Sequence, residues 1–415
     1  MDPERHAPRI VAVLFAAMSL GSAAAIAAAT VSPIAGADLA GRAAYAGVPS
    51  AMVLLGSAVS APLWGAAMDR LGRRWALGLG LLAGVVGSGV AGAYLMARSF
   101  VGFLAGLTLT GAASAAVQLS RFAAAEVHPP AARARAIANV VLGGTVGAVL
   151  GPILVGPSGA ASARFGLDEL VGPFAIGIGL YLLAAVSVLW LLRPDPLDLG
   201  RVVASRHPDS AAAEGPTRTV GVILRQPGAL LAVSAMVIGQ MVMVMLMVIT
   251  SLHMRDSHHG LGSISAVISA HTLGMYAFSV VSGRWADRWG RGPVILVGSG
   301  LLALAGLVAP LSPEVLPLAV SLFLLGLGWN LCFVGGSSLL ADHLRTEERG
   351  RTQGINDLLI ALASAVGSLG SGVVFAAVGY SIMGGIGAVL ALLPLGMALA
   401  WMRRSGPHPA TAPPA

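Results

Sequence analysis

The feature of this sequence that most constrains its fold is a series of twelve long apolar segments. A helix of about 20 apolar residues crosses the roughly 30 Å hydrocarbon core of a bilayer. Only 10% of the 415 residues are charged and 56% are hydrophobic, which excludes a water-soluble globular fold. We therefore predict an all-α membrane protein with twelve transmembrane helices. They lie near residues 10–34, 47–67, 75–96, 100–121, 136–158, 170–192, 228–252, 263–283, 293–310, 316–340, 353–378 and 381–402.

A polar stretch divides these segments into two sets of six. Residues 194–226 mix Pro, Asp, Arg and Ser, as a cytoplasmic linker does. We therefore predict an N-terminal six-helix bundle at 1–193, a linker at 194–226 and a C-terminal six-helix bundle at 227–405. The Pro-rich and Ala-rich residues 406–415 are predicted to be a disordered tail.

The basic residues predict how the chain is oriented in the membrane. All 25 are arginines, and if the N-terminus is cytoplasmic, all but four of them fall on the inner side. An excess of positive charge in cytoplasmic loops is typical of membrane proteins. It predicts that both termini are cytoplasmic, and it explains the net charge of +7 without a nucleic-acid partner. The arginines on the outer side are Arg42, Arg98, Arg164 and Arg255.

The two halves share an internal repeat. Residues 65–74 read GAAMDRLGRR between spans 2 and 3, and residues 283–292 read GRWADRWGRG between spans 8 and 9, 218 positions later. A second pair matches Glu126 with Asp342, at an offset of 216. Two matches at nearly one offset indicate that the halves are structural duplicates.

The repeated loop resembles the signature of the major facilitator superfamily, and the arrangement of six plus six spans covers the whole chain. This resemblance implies two six-helix bundles around a central path that opens alternately to each side. Charge-assisted contacts in the repeated loops would hold one state closed. The expected gating residues are Asp69, Arg70, Arg73, Arg74, Asp287, Arg288 and Arg291. Possible coupling carboxylates are Glu126, Asp342 and Asp357.

The stretch from Gly239 to Met275 contains an unusual number of methionines and histidines. Met243 and Met247 lie four residues apart in span 7, and His271 and Met275 lie four apart in span 8, so each pair shares a helical face. Counted at 1.5 Å per residue from the outer ends, Met243 lies about 13 Å deep and His271 about 12 Å. Thioether and imidazole groups are preferred ligands of soft metals such as Cu(I). These four residues are the predicted substrate site.

The predicted outer loop between these spans carries further candidate ligands. Histidines and a methionine there form a possible periplasmic capture site: His253, Met254, His258 and His259. The alternative is that these residues bind nothing, because loop residues are commonly solvated and methionine often fills gaps between helices. His271 favours a function, since an ionisable group inside a membrane helix is costly. The single cysteine, Cys332, is interpreted as a packing residue.

The Met/His motifs also resemble those of the CcoA-like copper importers of bacterial inner membranes, which carry M-x-x-x-M in span 7 and H-x-x-x-M in span 8. This resemblance implies copper import. Copper would then be the substrate, and no prosthetic group is expected. A riboflavin transporter belongs to the same broader group, so the substrate stays open between copper and an organic solute.

Two further alternatives concern the transport mode. Span 5 contains Gly147, Gly151 and Pro152 in a pattern that resembles antiporters of the superfamily, although a small-residue packing face with a local kink is the favoured explanation. Drug/proton antiport is less favoured because no span has a carboxylate near its centre; Asp38 and His271 remain as proton carriers. We expect a monomeric secondary transporter of the bacterial inner membrane, and not an enzyme.

Overall fold

In the residues that the structure describes, the secondary structure is α-helical apart from short 3₁₀ turns. The computed structural model describes residues 3–129, 132–206, 218–344 and 346–405. The helices are α1 Pro3–Ala40, α2 Val48–Leu71, α3 Arg73–Met96, α4 Phe100–Glu126, α5 Arg133–Arg164, α6 Gly172–Leu191, α7 Pro196–Arg206, α8 Val220–Leu224, α9 Pro227–Asp256, α10 Leu261–Tyr276, α11 Ser279–Trp289, α12 Arg291–Val308, α13 Val315–Asp342 and α14 Thr346–Ser405. The 3₁₀ turns are Ala43–Tyr45, Glu169–Val171 and Ala309–Leu311.

Eleven helical stretches in this described part are long and apolar enough to span a membrane. The last of them, Thr352–Arg404, is 53 residues long. At 1.5 Å per residue it measures about 80 Å, more than twice the hydrocarbon thickness. Gly379 interrupts it with a non-helical backbone, φ 77° and ψ 176°, so it forms two spans. The prediction of twelve transmembrane helices is confirmed.

The eighth span is a broken helix. The chain leaves the helical path between Tyr276 and Ser279, so this span consists of α10 followed by α11. The sequence predicted one continuous helix over 263–283. No proline or glycine stands at the break, and for that reason the local sequence does not signal it.

The chain folds into two compact units. The first comprises Met1–Ala211 together with Gly260–Ser265, and the second comprises Ala212–His259 together with Ala266–Ala415. Two short helices, α7 and α8, lie within the predicted linker 194–226. Residues 207–217 of that linker and the predicted tail 406–415 lie outside the described residues.

Small residues bring helices into close contact in both units. A Cβ on Gly147 of α5 would collide with the carbonyl oxygen of Ser19 in α1. A Cβ on Gly326 of α13 would collide with the carbonyl oxygen of His271 in α10. Neither position accepts a side chain without moving a backbone. The Gly-Pro pattern of span 5 therefore has a packing role against α1.

Candidate functional site

The first repeated loop is held together by Arg73 at the start of α3. Its Nε and Nη2 donate to the two carboxylate oxygens of Glu126 at 2.8 and 2.6 Å, a bidentate pair. Its Nη1 donates to Asp69 at 2.9 Å and to the carbonyl oxygen of Met68 at 2.7 Å. The Arg73 side chain is only 11% exposed. The predicted coupling residue Glu126 thus belongs to this charged network.

The second repeated loop has the same design with looser contacts. Arg291 Nη1 lies 3.0 Å from Asp287 and donates to the carbonyl oxygen of Ala286 at 2.6 Å. Its Nε donates to Asp342 at 3.2 Å, a single bond instead of two. Arg291 is 25% exposed and Asp342 is 52% exposed. The second predicted coupling residue, Asp342, also joins the loop network.

The other predicted gating and coupling residues lie outside these two networks. Arg70 and Arg288 are exposed, and the guanidinium of Arg74 lies 5.1 Å from the ring centre of Trp75. Asp357 is exposed and accepts a 2.9 Å hydrogen bond from Gln353 on its own helix. The geometry therefore groups Glu126 and Asp342 with the gating residues and sets Asp357 apart.

Asp195 takes part in the first loop, and the sequence did not predict this. Its carboxylate accepts hydrogen bonds from the backbone N–H groups of Arg73 and Arg74, at 3.0 and 3.1 Å. It therefore caps the N-terminus of α3, which has no intrahelical partner for these groups. The capping residue lies 121 or 122 positions away in the chain, so no local pattern reveals it.

Helical register places the predicted methionine ligands of α9 on the face that packs against α13. A Cβ on Gly239 would lie 3.4 Å from Cys332 Cβ of α13. Met243 is one turn further along the same face and is 4% exposed; Met247 is half-buried. Both methionine side chains are therefore directed toward the interior of the second unit.

The predicted ligands of α10 also pack on α13. His271 is fully buried, and its Nδ1 lies 2.9 Å from the carbonyl oxygen of Leu322. Its Nε2 is buried without a hydrogen-bond partner. Met275 is 7% exposed, and its carbonyl oxygen accepts a 2.6 Å hydrogen bond from Asn330.

The contacts along α13 show which of the four predicted ligands lie at the same depth, and the pairs differ from those estimated from the sequence. Gln240 of α9 contacts Trp329 of α13. Because spans 7 and 10 run antiparallel, seven residues outward from that contact, about 10 Å, bring Met247 to the level of Leu322. The carbonyl oxygen of Leu322 also lies 2.9 Å from His271 Nδ1, so His271 is at this level too. One turn inward, Met243 and Met275 share a level, whereas the sequence placed Met243 level with His271.

The predicted capture residues are not gathered at one point. His253 stacks on Tyr380, with ring centres 4.3 Å apart, and Met254 is fully buried. His258 is exposed in a left-handed conformation, φ 61°, just past the end of α9. His259 Nε2 lies 2.9 Å from the carbonyl oxygen of Pro313. The described residues contain no group of three or more His, Cys, Asp or Glu side chains able to hold a metal.

A polar contact that the sequence analysis missed joins three spans of the second unit. Trp329 Nε1 of α13 donates to Gln240 Oε1 of α9 at 2.6 Å. The amide nitrogen of Gln240 donates to Ser364 Oγ of α14 at 2.9 Å. Gln240 and Trp329 are half-buried and Ser364 is 4% exposed. The sequence signal was a glutamine and a tryptophan inside apolar spans, where polar groups are costly and commonly functional.

Aromatic rings surround this polar contact. Trp329 stacks on Phe333, with ring centres 5.0 Å apart and ring planes 18° apart. Tyr276 approaches Trp329 edge-on, with ring centres 6.3 Å apart. Tyr276 and Phe333 are half-buried as well. Together, Gln240, Trp329, Tyr276 and Phe333 form an amide-aromatic cluster, which suits a planar ligand with hydrogen-bonding edges.

Tyr276 is the last residue of α10, so the broken span positions the cluster. Asn330 fastens the break: its Nδ2 donates to the carbonyl oxygen of Met275 at 2.6 Å and to Ser279 Oγ at 2.8 Å. Ser282 of α11 donates to Asn330 Oδ1 at 2.5 Å. Asn330 directly follows Trp329 in α13. The break and the cluster are thus held by neighbouring residues.

Outside the spans, an arginine before α8 is tied to the start of α14. Arg218 donates from Nη2 and Nε to the two carboxylate oxygens of Glu348, at 2.6 and 2.9 Å. The hydrogen bond to Glu348 raises the pKa of Arg218 above its usual value. Glu348 is 1% exposed at its side chain. This pair anchors the end of the predicted linker to the second unit.

Comparisons with known proteins agree with this architecture. The sequence matches the Major Facilitator Superfamily over residues 11–261 and 231–415. It is 35% identical over 388 residues to an uncharacterised transporter of that type, YdeG of Bacillus subtilis, covering 93% of this chain and 90% of YdeG. It is 29% identical over 366 residues to the riboflavin transporter RfnT of Brucella anthropi, covering 87% of each chain.

Solved structures show the same fold. A bacterial homologue of the human lysosomal transporter Spinster, in an inward-facing and occupied conformation, superposes with a TM-score of 0.72 at 15% identity. The match covers 97% of this chain and 96% of that one. The human organic anion transporter MFSD10 superposes with a TM-score of 0.62 at 19% identity, covering 96% of this chain and 100% of that one.

Proposed function

Because this chain belongs to the major facilitator superfamily, a family of transporters and not of enzymes, we propose that it is a secondary transporter of a small, planar organic solute. The amide-aromatic cluster of the second unit binds that solute. The observation that carries the proposal is the Gln240 side chain, which joins Trp329 to Ser364 inside apolar spans and lies beside aromatic rings.

The chemistry of the cluster favours a heteroaromatic ring system. Stacking of a base-like ring on an aromatic side chain contributes about 1–3 kcal/mol. The indole of Trp329 and the phenol of Tyr276 offer such surfaces, and the Gln240 amide has both a donor and an acceptor for a ring edge. The similarity to a riboflavin transporter supports the same class of substrate. Riboflavin is therefore the probe of choice.

The arginine distribution and the bacterial relatives support the remaining features of this proposal. The protein lies in the cytoplasmic membrane with both termini inside, and it works as a monomer by alternating access. The charged networks of Arg73 and Arg291 stabilise one of its states. Opening of that state requires these ion pairs to separate.

Copper import is a second candidate, and the buried His271 Nε2 is the observation that favours it. An imidazole nitrogen without a hydrogen-bond partner is available to a soft metal. Met247 at the level of His271, and Met243 at the level of Met275, would then supply thioether ligands along the path of the ion. None of the similar proteins named above has copper in its name, so this candidate depends on the four ligands alone.

Uptake of radiolabelled riboflavin and of radioactive copper, measured in parallel in the same cells, separates the two candidates. Trp329→Leu removes the indole of the cluster, and Trp190→Leu, at a 73% exposed position, is its matched control. We expect riboflavin uptake by the wild type and by the Trp190 variant, with KM raised at least about tenfold for Trp329→Leu, equivalent to about 1.4 kcal/mol.

The copper arm uses the double variant Met243→Leu/His271→Gln, with Met241→Leu as a control. Met241 lies on another helical face, where its backbone packs against Gly367. Our proposal predicts that copper accumulation is the same in all strains, including one without the protein. Copper accumulation that requires Met243 and His271, with riboflavin uptake absent, would replace the organic-solute proposal by the copper one.

A further inference from the structure

The first unit contains a cavity beside the network of Arg73 and Glu126, and the proposed substrate cluster does not use it. Its volume is about 460 Å³. It is bordered by α3, α4, α5 and α7, and its lining includes Arg73, Arg133, Arg201, Glu126, Phe122 and Leu197. All of these residues belong to the first unit. The lining thus contains three arginines and one glutamate.

The charge of Arg73 is already balanced, whereas the other two arginines are weakly paired. Arg73 contacts Glu126 and Asp69 at 2.6 and 2.9 Å. In the described part of the chain, Arg133 donates a hydrogen bond of 3.4 Å to the carbonyl oxygen of His128. Arg201 lies 3.8 Å from Asp198, and both side chains are more than half exposed. Such an exposed pair contributes little, so Arg133 and Arg201 can bind an anion.

The apolar residues of the cavity indicate an amphiphilic ligand. Phe122 is 48% exposed, beside the guanidinium of Arg121, which lies 4.9 Å from its ring centre. Leu197, in the first turn of α7, also lines the cavity. Helix α7 is amphipathic: Leu199 is fully buried, whereas Arg201 is exposed. A helix of this kind, placed directly after a transmembrane span, lies at the membrane surface.

We propose that this cavity binds the phosphate-bearing headgroup of an anionic phospholipid, with Arg133 and Arg201 as its cationic contacts and Phe122 beside the upper acyl chains. Basic pockets between transmembrane helices are suited to such headgroups. A free phosphate ion has the same charge but lacks the apolar chains that would pack against the exposed Phe122. The headgroup also lies next to Arg73, so the lipid site borders the first gating network.

The test is lipid binding to the purified full-length protein, measured by native mass spectrometry and by titration of phosphatidylglycerol into phosphatidylcholine nanodiscs. An arginine near the membrane surface contributes about 1 kcal/mol, so Arg133→Gln and Arg201→Gln should each weaken phosphatidylglycerol binding about fivefold, and the double variant about 25- to 30-fold. Arg133→Lys, which retains the charge, should stay within about twofold of the wild type.

The matched control is Arg135→Gln/Arg403→Gln, which removes the same charge from exposed positions outside the cavity. It should leave phosphatidylglycerol binding unchanged, and phosphatidylcholine should bind all variants alike. Equal binding by the cavity variant and the control would overturn the site. Binding of inorganic phosphate as tightly as phosphatidylglycerol, with the same dependence on Arg133 and Arg201, would overturn the assignment to a lipid.

Discussion

The two repeated loops have the same sequence pattern but are held with different strength. In the first, Arg73 forms a two-bond pair with Glu126, and Asp195 caps the helix that Arg73 begins. In the second, Arg291 forms one 3.2 Å bond to Asp342. Aspartate is one methylene shorter than glutamate, and we expect this shorter side chain to explain the single bond. Duplicated motifs can therefore differ in energy through residues outside the motif.

This difference predicts that the two loops contribute unequally to the stability of the closed state. A bidentate, largely buried arginine-carboxylate pair is stronger than a single exposed one. If these networks hold the closed state, we expect the second loop to open at lower cost and the first loop to limit the rate of opening. Substitutions at matched positions of the two loops test this difference, through the stability of the detergent-solubilised protein against SDS.

The largest effect is expected at the two loop glycines. Gly72 and Gly290 have φ 86° and 92°, a conformation that other residues rarely adopt. An alanine Cβ at Gly72 would lie 2.5 Å from the Asp195 carboxylate, whereas one at Gly290 would have only an ordinary 3.8 Å contact with Pro293. We expect Gly290→Ala to cost about 1–3 kcal/mol and Gly72→Ala about 1 kcal/mol more, because the cap is also displaced.

Gly65→Ala and Gly283→Ala are the controls, since nothing lies within 4 Å of a Cβ at either position. Both substitutions should be neutral or slightly stabilising within a helix. Equal losses for Gly72→Ala and Gly290→Ala would contradict the role given to Asp195.

The next effect concerns the arginines themselves. Arg73→Gln leaves the Glu126 carboxylate without its bidentate partner and should cost about 2–3 kcal/mol. Arg291→Gln removes a more exposed, single bond and should cost less than about 1 kcal/mol. Arg70→Gln, at an exposed position of the first loop, is the control. If Arg291→Gln is as destabilising as Arg73→Gln, the first loop is not held more strongly than the second.

A smaller effect is expected for Asp195→Ala. It removes the N-terminal cap of α3 and should cost about 1 kcal/mol. Amide hydrogen exchange of Arg73 and Arg74 should increase, because their N–H groups lose the carboxylate. The double variant Gly72→Ala/Asp195→Ala should lose less than the sum of the two single variants. Strict additivity would show that the Cβ at position 72 does not act through Asp195.

The smallest effects are expected from exchanging the acidic residues. Glu126→Asp should weaken the pair with Arg73 by about 1 kcal/mol, and Asp342→Glu should strengthen that with Arg291 by about 0.5 kcal/mol. In the variant that contains both exchanges, the Arg291→Gln substitution should become the more costly one. If the two loops keep their order of stability, side-chain length does not explain their difference.

The sequence predicted the fold well because its signal is global. Twelve apolar segments and a repeated ten-residue loop each depend on composition and spacing, and a membrane admits few alternatives to packed helices. The pairing of Glu126 and Asp342 with the predicted gating arginines also follows the repeat, although the sequence analysis gave these two carboxylates a possible coupling role.

The rest depends on contacts between residues that are distant in the chain. Asp195 follows α6 and meets Arg73 only after α6 packs against α3, and the break before Ser279 is fastened by Asn330 from another span. The emphasis on methionine and histidine overlooked Gln240, one glutamine among apolar residues. Its hydrogen bonds to Trp329 and Ser364 form only when three spans pack together.

The most direct test of the proposed substrate site is binding of riboflavin to the purified protein, followed by quenching of flavin fluorescence. Our account predicts saturable quenching for the wild type and for Trp190→Leu, and an affinity at least about tenfold lower for Trp329→Leu. Equal affinities for the Trp329 and Trp190 variants, or no saturable quenching by the wild type, would contradict it.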